Sequence, residues 1–180
     1  MNLLLTYLLL LFSPDTGNPP CVCKMQNTFP VPPAQDQTLF YLQRTHNHNT
    51  IMFDLNVKNG TIDAREPVHP YWIRYSDDGR RQELSYIQEN YAYGLKSKKL
   101  PDGRFELRFV SYKKVPLYLY KSPRENRYRV QTTINGKTIE INRVFLQIEG
   151  GTFWLPNVVC AEIKGVDPQT GKEVVELFKP

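Results

Sequence analysis

The sequence predicts a mainly β protein, an antiparallel β-barrel or sandwich of nine to ten strands with one short helix. Three observations predict it. Short runs rich in β-branched and aromatic residues alternate apolar with polar positions, the period of a half-buried strand. Turn pairs such as Asn59-Gly60 and Asn135-Gly136 punctuate these runs at hairpin spacing. One stretch, residues 81–93, repeats its apolar residues at helical spacing.

The strands follow in order from residue 37. "TLFYLQR" (38–44) is the first, and "TIMFDLNV" (50–57) the second, with Ile51, Phe53, Leu55 and Val57 in phase. "VHPYWIRY" (68–75) sets His69, Tyr71, Ile73 and Tyr75 on one face and Trp72 and Arg74 on the other, and Asp77-Asp78-Gly79 ends it. Leu84, Ile87 and Tyr91 then predict the helix, with Gly94 where a C-terminal cap belongs. "RFELRFVSY" (104–112) returns to the strand period, with Phe105, Leu107 and Phe109 inward. "PLYLYKS" and "RYRVQTTI" continue it. "KTIEINRVFLQIEG" (137–150) is long for one strand, which predicts a bend or bulge. "NVVCAEIKG" and "KEVVELFKP" close the chain across an Asp167-Pro168…Gly171 turn. Among architectures that shelter this many strands, a closed barrel with the helix near one end is favoured, by analogy with the lipocalin or calycin-like barrels of lipid carriers.

Length and composition bound the rest. A chain of 180 residues is one ordinary domain, and 41% hydrophobic and 12% aromatic content are those of a globular protein. The net charge of +5 implies weak attraction to anionic surfaces and says nothing of the fold. Leu3 to Phe12 is an apolar run too short to span a bilayer and of the length of a signal-peptide core, so residues 1–20 are expected to be a signal peptide. Residues 21–36 hold Pro30, Pro32 and Pro33 and are expected to be an extended, unpacked linker, with lipidation at Cys21 a lesser option. Residues 37–180 then form the single β-rich domain, with no transmembrane span in the mature chain. Cys21, Cys23 and Cys160 are an odd set without regular spacing, which argues against a disulfide framework, and Cys160, in "NVVCAEI", is expected to be a small unpaired core residue.

Candidate site residues concentrate in residues 69–94, where tyrosines crowd beside a tryptophan, three arginines and a histidine. The favoured reading puts these rings in the core and pairs Arg74 with Glu83 or an aspartate. If they line a site instead, Trp72, Arg74, Tyr86 and Tyr93 give aromatic walls and one fixed cation, which suit an apolar ligand with an anionic head, or a stacked sugar. Trp154 in "IEGGTFWLPN" joins them as the residue closing a barrel corner, beside glycines that mark a bulge or close backbone approach. Residues 96–129 hold eleven lysines and arginines against three acidic residues. Arg104, Arg108, Arg127 and Arg129 fall outward on strands, which favours a solvated face, with an anionic envelope component ahead of nucleic acid as a partner. His46 and His48 form an H-x-H pair that His69 could complete as a metal site, but a polar loop explains them better, and no metal or cofactor is expected. Catalytic signatures such as G-x-S-x-G, H-E-x-x-H and the P-loop are missing from the sequence, and Asp54, Glu66, Asp78, Glu83 and Glu89 are the carboxylates that could pair in space.

Four blocks in order, "PVHPYWIRY", "ELSYIQENYAYGLKSK", "FELRFVSYKKVPLYL" and "IEGGTFWLPNV…GVDPQTGKEV", resemble the bacterial family known as domain of unknown function 4833, over about residues 38–180. The resemblance implies an exported, periplasmic or envelope-associated protein and carries no activity and no catalytic residues. The function expected is a non-catalytic exported β-barrel that binds a small apolar or amphipathic ligand. An envelope structural or interaction module with a basic face, and a glycan or lipid hydrolase, are the alternatives.

Overall fold

A computed structural model describes residues 21, 23, 29–33, 35–152 and 155–180. Thirteen strands and one helical turn account for most of them. The strands are β1 (Thr38–Arg44), β2 (Asn47–Leu55), β3 (Val57–Lys58), β4 (Thr61–Ile62), β5 (Val68–Arg74), β6 (Arg80–Glu83), β7 (Leu95–Lys99), β8 (Phe105–Phe109), β9 (Leu117–Lys121), β10 (Tyr128–Ile134), β11 (Lys137–Gly151), β12 (Pro156–Val166) and β13 (Glu173–Phe178). The mainly β class is as the sequence predicts. The hairpin turns are too: Asn59, Gly60, Asn135 and Gly136 all have positive φ, between 50° and 77°, the backbone a two-residue turn of this type requires.

Everything hangs on β11. Its first residues pair with β10, from Gln131↔Glu140 to Ile134↔Lys137. Farther along, the same edge pairs with β1, from Tyr41↔Arg143 to Arg44↔Leu146. Its other edge carries β12 along nearly its whole length, and β13 follows β12. Two arms therefore leave one edge of one strand, β1-β2-β5-β6 and β10-β9-β8-β7. Register shifts between Ile141 and Arg143, Gln147 and Ile148, and Ile148 and Gly151 let β11 bend where the arms part. The expectation of a bent or bulged long strand is met.

The two arms fold toward each other and bury their facing sides. Phe40 of β1 stacks on Phe53 of β2, with ring centroids 4.4 Å apart, and Phe109 of β8 meets both rings edge-on. Leu107, Leu119, Val130, Ile139 and Ile141 complete this core. The result is one curled eleven-stranded sheet, a half-barrel that stays open between β6 and β7, with β3 and β4 as a separate two-stranded hairpin. Closure, the feature that would make it a lipid-carrier barrel, is not seen among the described residues.

Four expectations need correction. Pairing is not antiparallel throughout, because β1 and β11 run parallel; nearly a hundred residues of meander separate them, enough for the crossover that parallel neighbours need. The helix does not begin at residue 81. Arg80–Glu83 is strand β6, held to β5 by side-chain pairs across it: Arg81 stacks 3.7 Å over the Tyr71 ring and His69 Nε2 lies 2.7 Å from Glu83 Oε2. The helical turn starts only at Tyr86, and Gln88–Tyr93 is wound as a π-helix that buries no residue. Ile87 and Tyr91 are exposed there, so their helical spacing marks no core stripe. Gly94 does end the turn, donating its N–H to Glu89 O at 3.0 Å, where a Cβ would meet that same oxygen at 2.0 Å.

The other two corrections concern the leader. Cys160 is not an unpaired core thiol; it is disulfide-bonded to Cys23, with Cα atoms 5.7 Å apart across 137 residues of chain. That partner lies too far away in sequence for spacing to reveal it. Nor do the described leader residues lie unpacked. Phe29 meets Phe145 edge-on at 5.3 Å, Pro32 is buried, and Pro30 O accepts a 2.7 Å hydrogen bond from Gln43 Nε2. A phenylalanine with an apolar landing site gains more by covering it than by staying in water. The expected signal, residues 1–20, lies outside the described residues.

Candidate functional site

Strand alternation assigns β11 and its neighbours two different faces. Phe145, Gln147 and, opposite them on β12, Cys160 and Glu162 point outward, where the leader lies. Val144, Leu146 and Ile148 point inward with Leu42 and Arg44 of β1 and Ala161 and Ile163 of β12, and these seven line a cavity of about 610 Å³. The far wall comes from the other arm: Phe109 of β8, Val115 and Lys114 of the following loop, and Leu117 of β9. Tyr91, Ala92 and Tyr93 of the helical turn form one end, and Leu155, Pro156, Asn157 and Phe178 another. The lining is mostly hydrocarbon, and the volume falls in the range of sites for drug-sized molecules, roughly 300–1,000 Å³. Leu155, 79% exposed, and the exposed Tyr91 mark where it opens to solvent.

Two cations stand in this apolar wall, Arg44 and Lys114. Arg44 closes β1 in phase with Phe40 and Leu42, so strand geometry sends a guanidinium where a hydrocarbon would be expected. Its Nε is buried without a hydrogen-bond partner, and no carboxylate pairs with it among the described residues. An unsatisfied buried donor of this kind costs about 1–3 kcal/mol. The Tyr93 phenol is nearby. Burial pushes its ionisation upward, and the Arg44 charge opposes that shift. Lys114 places its ammonium 5.8 Å from the Tyr112 ring. The cavity is thus an apolar chamber whose wall carries Arg44, which forms no ion pair among the described residues, and Lys114, with Pro180 also in the lining.

The residues singled out from sequence fall in different places. Tyr93 lines the cavity. Trp72, 4% exposed, is core; it meets Tyr93 edge-on at 5.4 Å and donates its indole N–H to Gln88 Oε1 at 3.3 Å. It therefore backs the cavity wall without facing the cavity. Arg74 pairs with Asp77 at 3.0 Å. Tyr86 is 73% exposed on the helical turn. Trp154 lies outside the described residues. Each arginine proposed for an anionic surface has an acidic neighbour: Arg104 has Asp102 at 2.7 Å, Arg108 has Glu106 at 2.7 Å, and Arg127 and Arg129 share Glu125.

The remaining candidates do not line the chamber. His46 sits at the β1–β2 turn with φ 60°, and His48 faces the Phe29 ring at 6.0 Å. Among the described residues no three His, Cys, Asp or Glu side chains are grouped to hold a metal. Asp54 accepts hydrogen bonds from Thr38 Oγ1 at 3.0 Å and Tyr71 OH at 2.9 Å, which occupy its oxygens structurally. Glu66 and Glu89 both line a second recess, of about 40 Å³, which has room for waters and not for a sugar ring.

Sequence reasoning missed Arg44 and the β8, β9 and β11 walls. The signal for Arg44 was present: it is the one charge in phase with the apolar face of "LFYLQR". The walls meet only because β11 bends, and no local pattern carries that.

The site is thus an open β half-barrel around an apolar, cation-bearing chamber. The chain belongs to the domain of unknown function family DUF4833, whose family model matches residues 40–177. A search of curated proteins found no match, and neither did a search of solved structures. No described helix is long and apolar enough to cross a membrane.

Proposed function

We propose that this chain is an exported, non-catalytic binding domain that holds a small apolar or amphipathic molecule in its half-barrel chamber. The observation that carries this reading is the apolar volume of about 610 Å³ between the two arms, in a protein large enough to have filled that space with its own side chains. Natural interiors leave few voids larger than a water molecule, so a chamber of this size with a solvent opening suits an occupant. Export is supported by the Cys23–Cys160 bond, which persists in oxidising compartments, and by the apolar run near Met1. The alternatives draw on weaker features. A basic face for an anionic partner would rely on arginines that already have carboxylate neighbours. A hydrolase would need a groove flanked by two carboxyls, and the recess that brings Glu66 and Glu89 together is too small for a sugar.

The test is native mass spectrometry of the full chain, released from a cell envelope extract without denaturation. The expected result is an extra mass of lipid size that leaves on collisional activation. A clean apo mass, repeated after incubation with total lipid extract, would overturn the reading.

A further inference from the structure

The chamber has a chemical polarity as well as a size. Five apolar side chains, Leu42, Phe109, Leu117, Val144 and Leu146, form a continuous hydrocarbon surface from both arms. Arg44 stands at the edge of that surface with a buried Nε and no hydrogen-bond partner. The twelve ion pairs elsewhere in the described chain use arginines, lysines and a histidine beside carboxylates, and Arg44 is in none of them. Arg44 as a whole is half-buried, and its Nε is the buried donor that lacks a partner, a group ordinarily paired because it is costly to strand. A guanidinium with an unpartnered donor on an apolar wall is complementary to a chain of hydrocarbon ending in an anion that can accept two N–H bonds, a carboxylate or a phosphate.

Resting on the binding function above, we propose that the occupant is a single-chain amphiphile with a carboxylate head, a long-chain fatty acid, whose head is held by Arg44 and whose tail lies along Leu42, Leu117 and Leu146. Lys114 adds a second positive charge to the same chamber and disfavours a cationic head. Tyr93, in the wall beside Arg44, has a phenol available to donate to the same carboxylate. A neutral alcohol of equal length would bury the same hydrocarbon and leave the guanidinium without its counter-charge. Discrimination between acid and alcohol therefore reports the polar lining of the chamber, Arg44 first and Lys114 and Tyr93 with it.

The experiment titrates full-length protein, stripped of lipid under native conditions, with palmitate, hexadecanol and hexadecyltrimethylammonium by tryptophan fluorescence and calorimetry. The expected order is palmitate at least tenfold tighter than hexadecanol, with the ammonium weakest. Arg44→Gln is expected to remove most of the palmitate preference while leaving hexadecanol within about twofold, the remainder belonging to Lys114 and Tyr93, and Arg44→Lys to restore part of the preference. Equal affinity of wild-type protein for palmitate and hexadecanol would overturn the head-group assignment and leave the binding chamber standing. Failure of folded wild-type protein to bind any of the three would overturn the chamber as well. The wild-type comparison needs no variant, so the proposal is tested even if Arg44→Gln does not fold.

Discussion

Trp72 and Tyr86 come from the same aromatic stretch and illustrate how one ring becomes structure while another stays in solvent. Trp72 lies on the β5 face that enters the core, and it both packs edge-on against Tyr93 and donates to Gln88. Truncating a buried tryptophan removes its apolar area and leaves a cavity, a loss of about 3–5 kcal/mol. Trp72→Ala is therefore expected to cost that much in urea denaturation. It should also weaken ligand binding, because Tyr93 loses its support in the chamber wall. Tyr86 projects from the helical turn with most of its surface in water, and Tyr86→Ala is expected to stay within about 0.5 kcal/mol of wild type. If both variants lose stability equally, the assignment of Trp72 to the core and Tyr86 to the surface fails. The partition follows from strand phase for Trp72. For Tyr86 it follows from its place on the solvent side of a turn whose inner side is taken by Gln88 and Tyr93.

At the scale of elements, β11 and β12 decide the shape. Gly165 of β12 lies opposite Ile141, beside the first register shift of β11. A Cβ built there would stand 1.9 Å from the Glu140 carbonyl oxygen and 2.8 Å from the Ile139 side chain. The obstruction is backbone, which has nowhere to move without parting the strands. Gly165→Ala is expected to destabilise the protein by about 1–3 kcal/mol, the usual cost of overpacking, and to lower the melting temperature accordingly. An unchanged melting temperature would mean that the strands are not so close. This place also shows what the sequence could convey. The period-two alternation of "TLFYLQR", "VHPYWIRY" and "RFELRF" made their strands legible, and for "RFELRF" its inward face too, whereas β1 and β5 bury residues on both faces. Asn-Gly pairs located the hairpins for the same local reason. Strands β6 and β7, "RRQE" and "LKSKK", were not legible, because as sheet edges they bury little and carry charges that hide the alternation. The chamber was illegible for a different reason. It depends on one strand serving two arms, and that pairing is set by the register shifts of β11 and by tertiary contact across a hundred residues.

For the molecule as a whole, the leader acts as a clamp on the outer side of the sheet whose inner side lines the chamber. Three contacts make it: the Cys23–Cys160 bond, Phe29 on Phe145, and Pro30 O on Gln43. The disulfide closes a loop spanning most of the domain, so its main effect falls on the unfolded chain, whose freedom it restricts by about 2–4 kcal/mol in typical measurements. Reduction is expected to lower the melting temperature while leaving one cooperative transition, because the core between the arms contains no sulfur bridge. A second cysteine lies at the same place. Cys21 Sγ lies 2.7 Å from Cys160 Sγ, so either leader cysteine is placed to reach the same partner. A Cys21–Cys160 loop would be only two residues longer, and loop entropy changes so slowly with length that its stabilising effect would be nearly the same. Cys23→Ser is thus expected to retain most of the oxidised stability, with peptide mapping finding Cys21 bonded to Cys160. Serine at both 21 and 23 should reproduce the reduced protein, as should Cys160→Ser, apart from the small cost of a hydroxyl in a buried site. If Cys23→Ser alone melts with the reduced protein and no Cys21–Cys160 peptide forms, the leader is held in one register and Cys21 only packs beside the bridge.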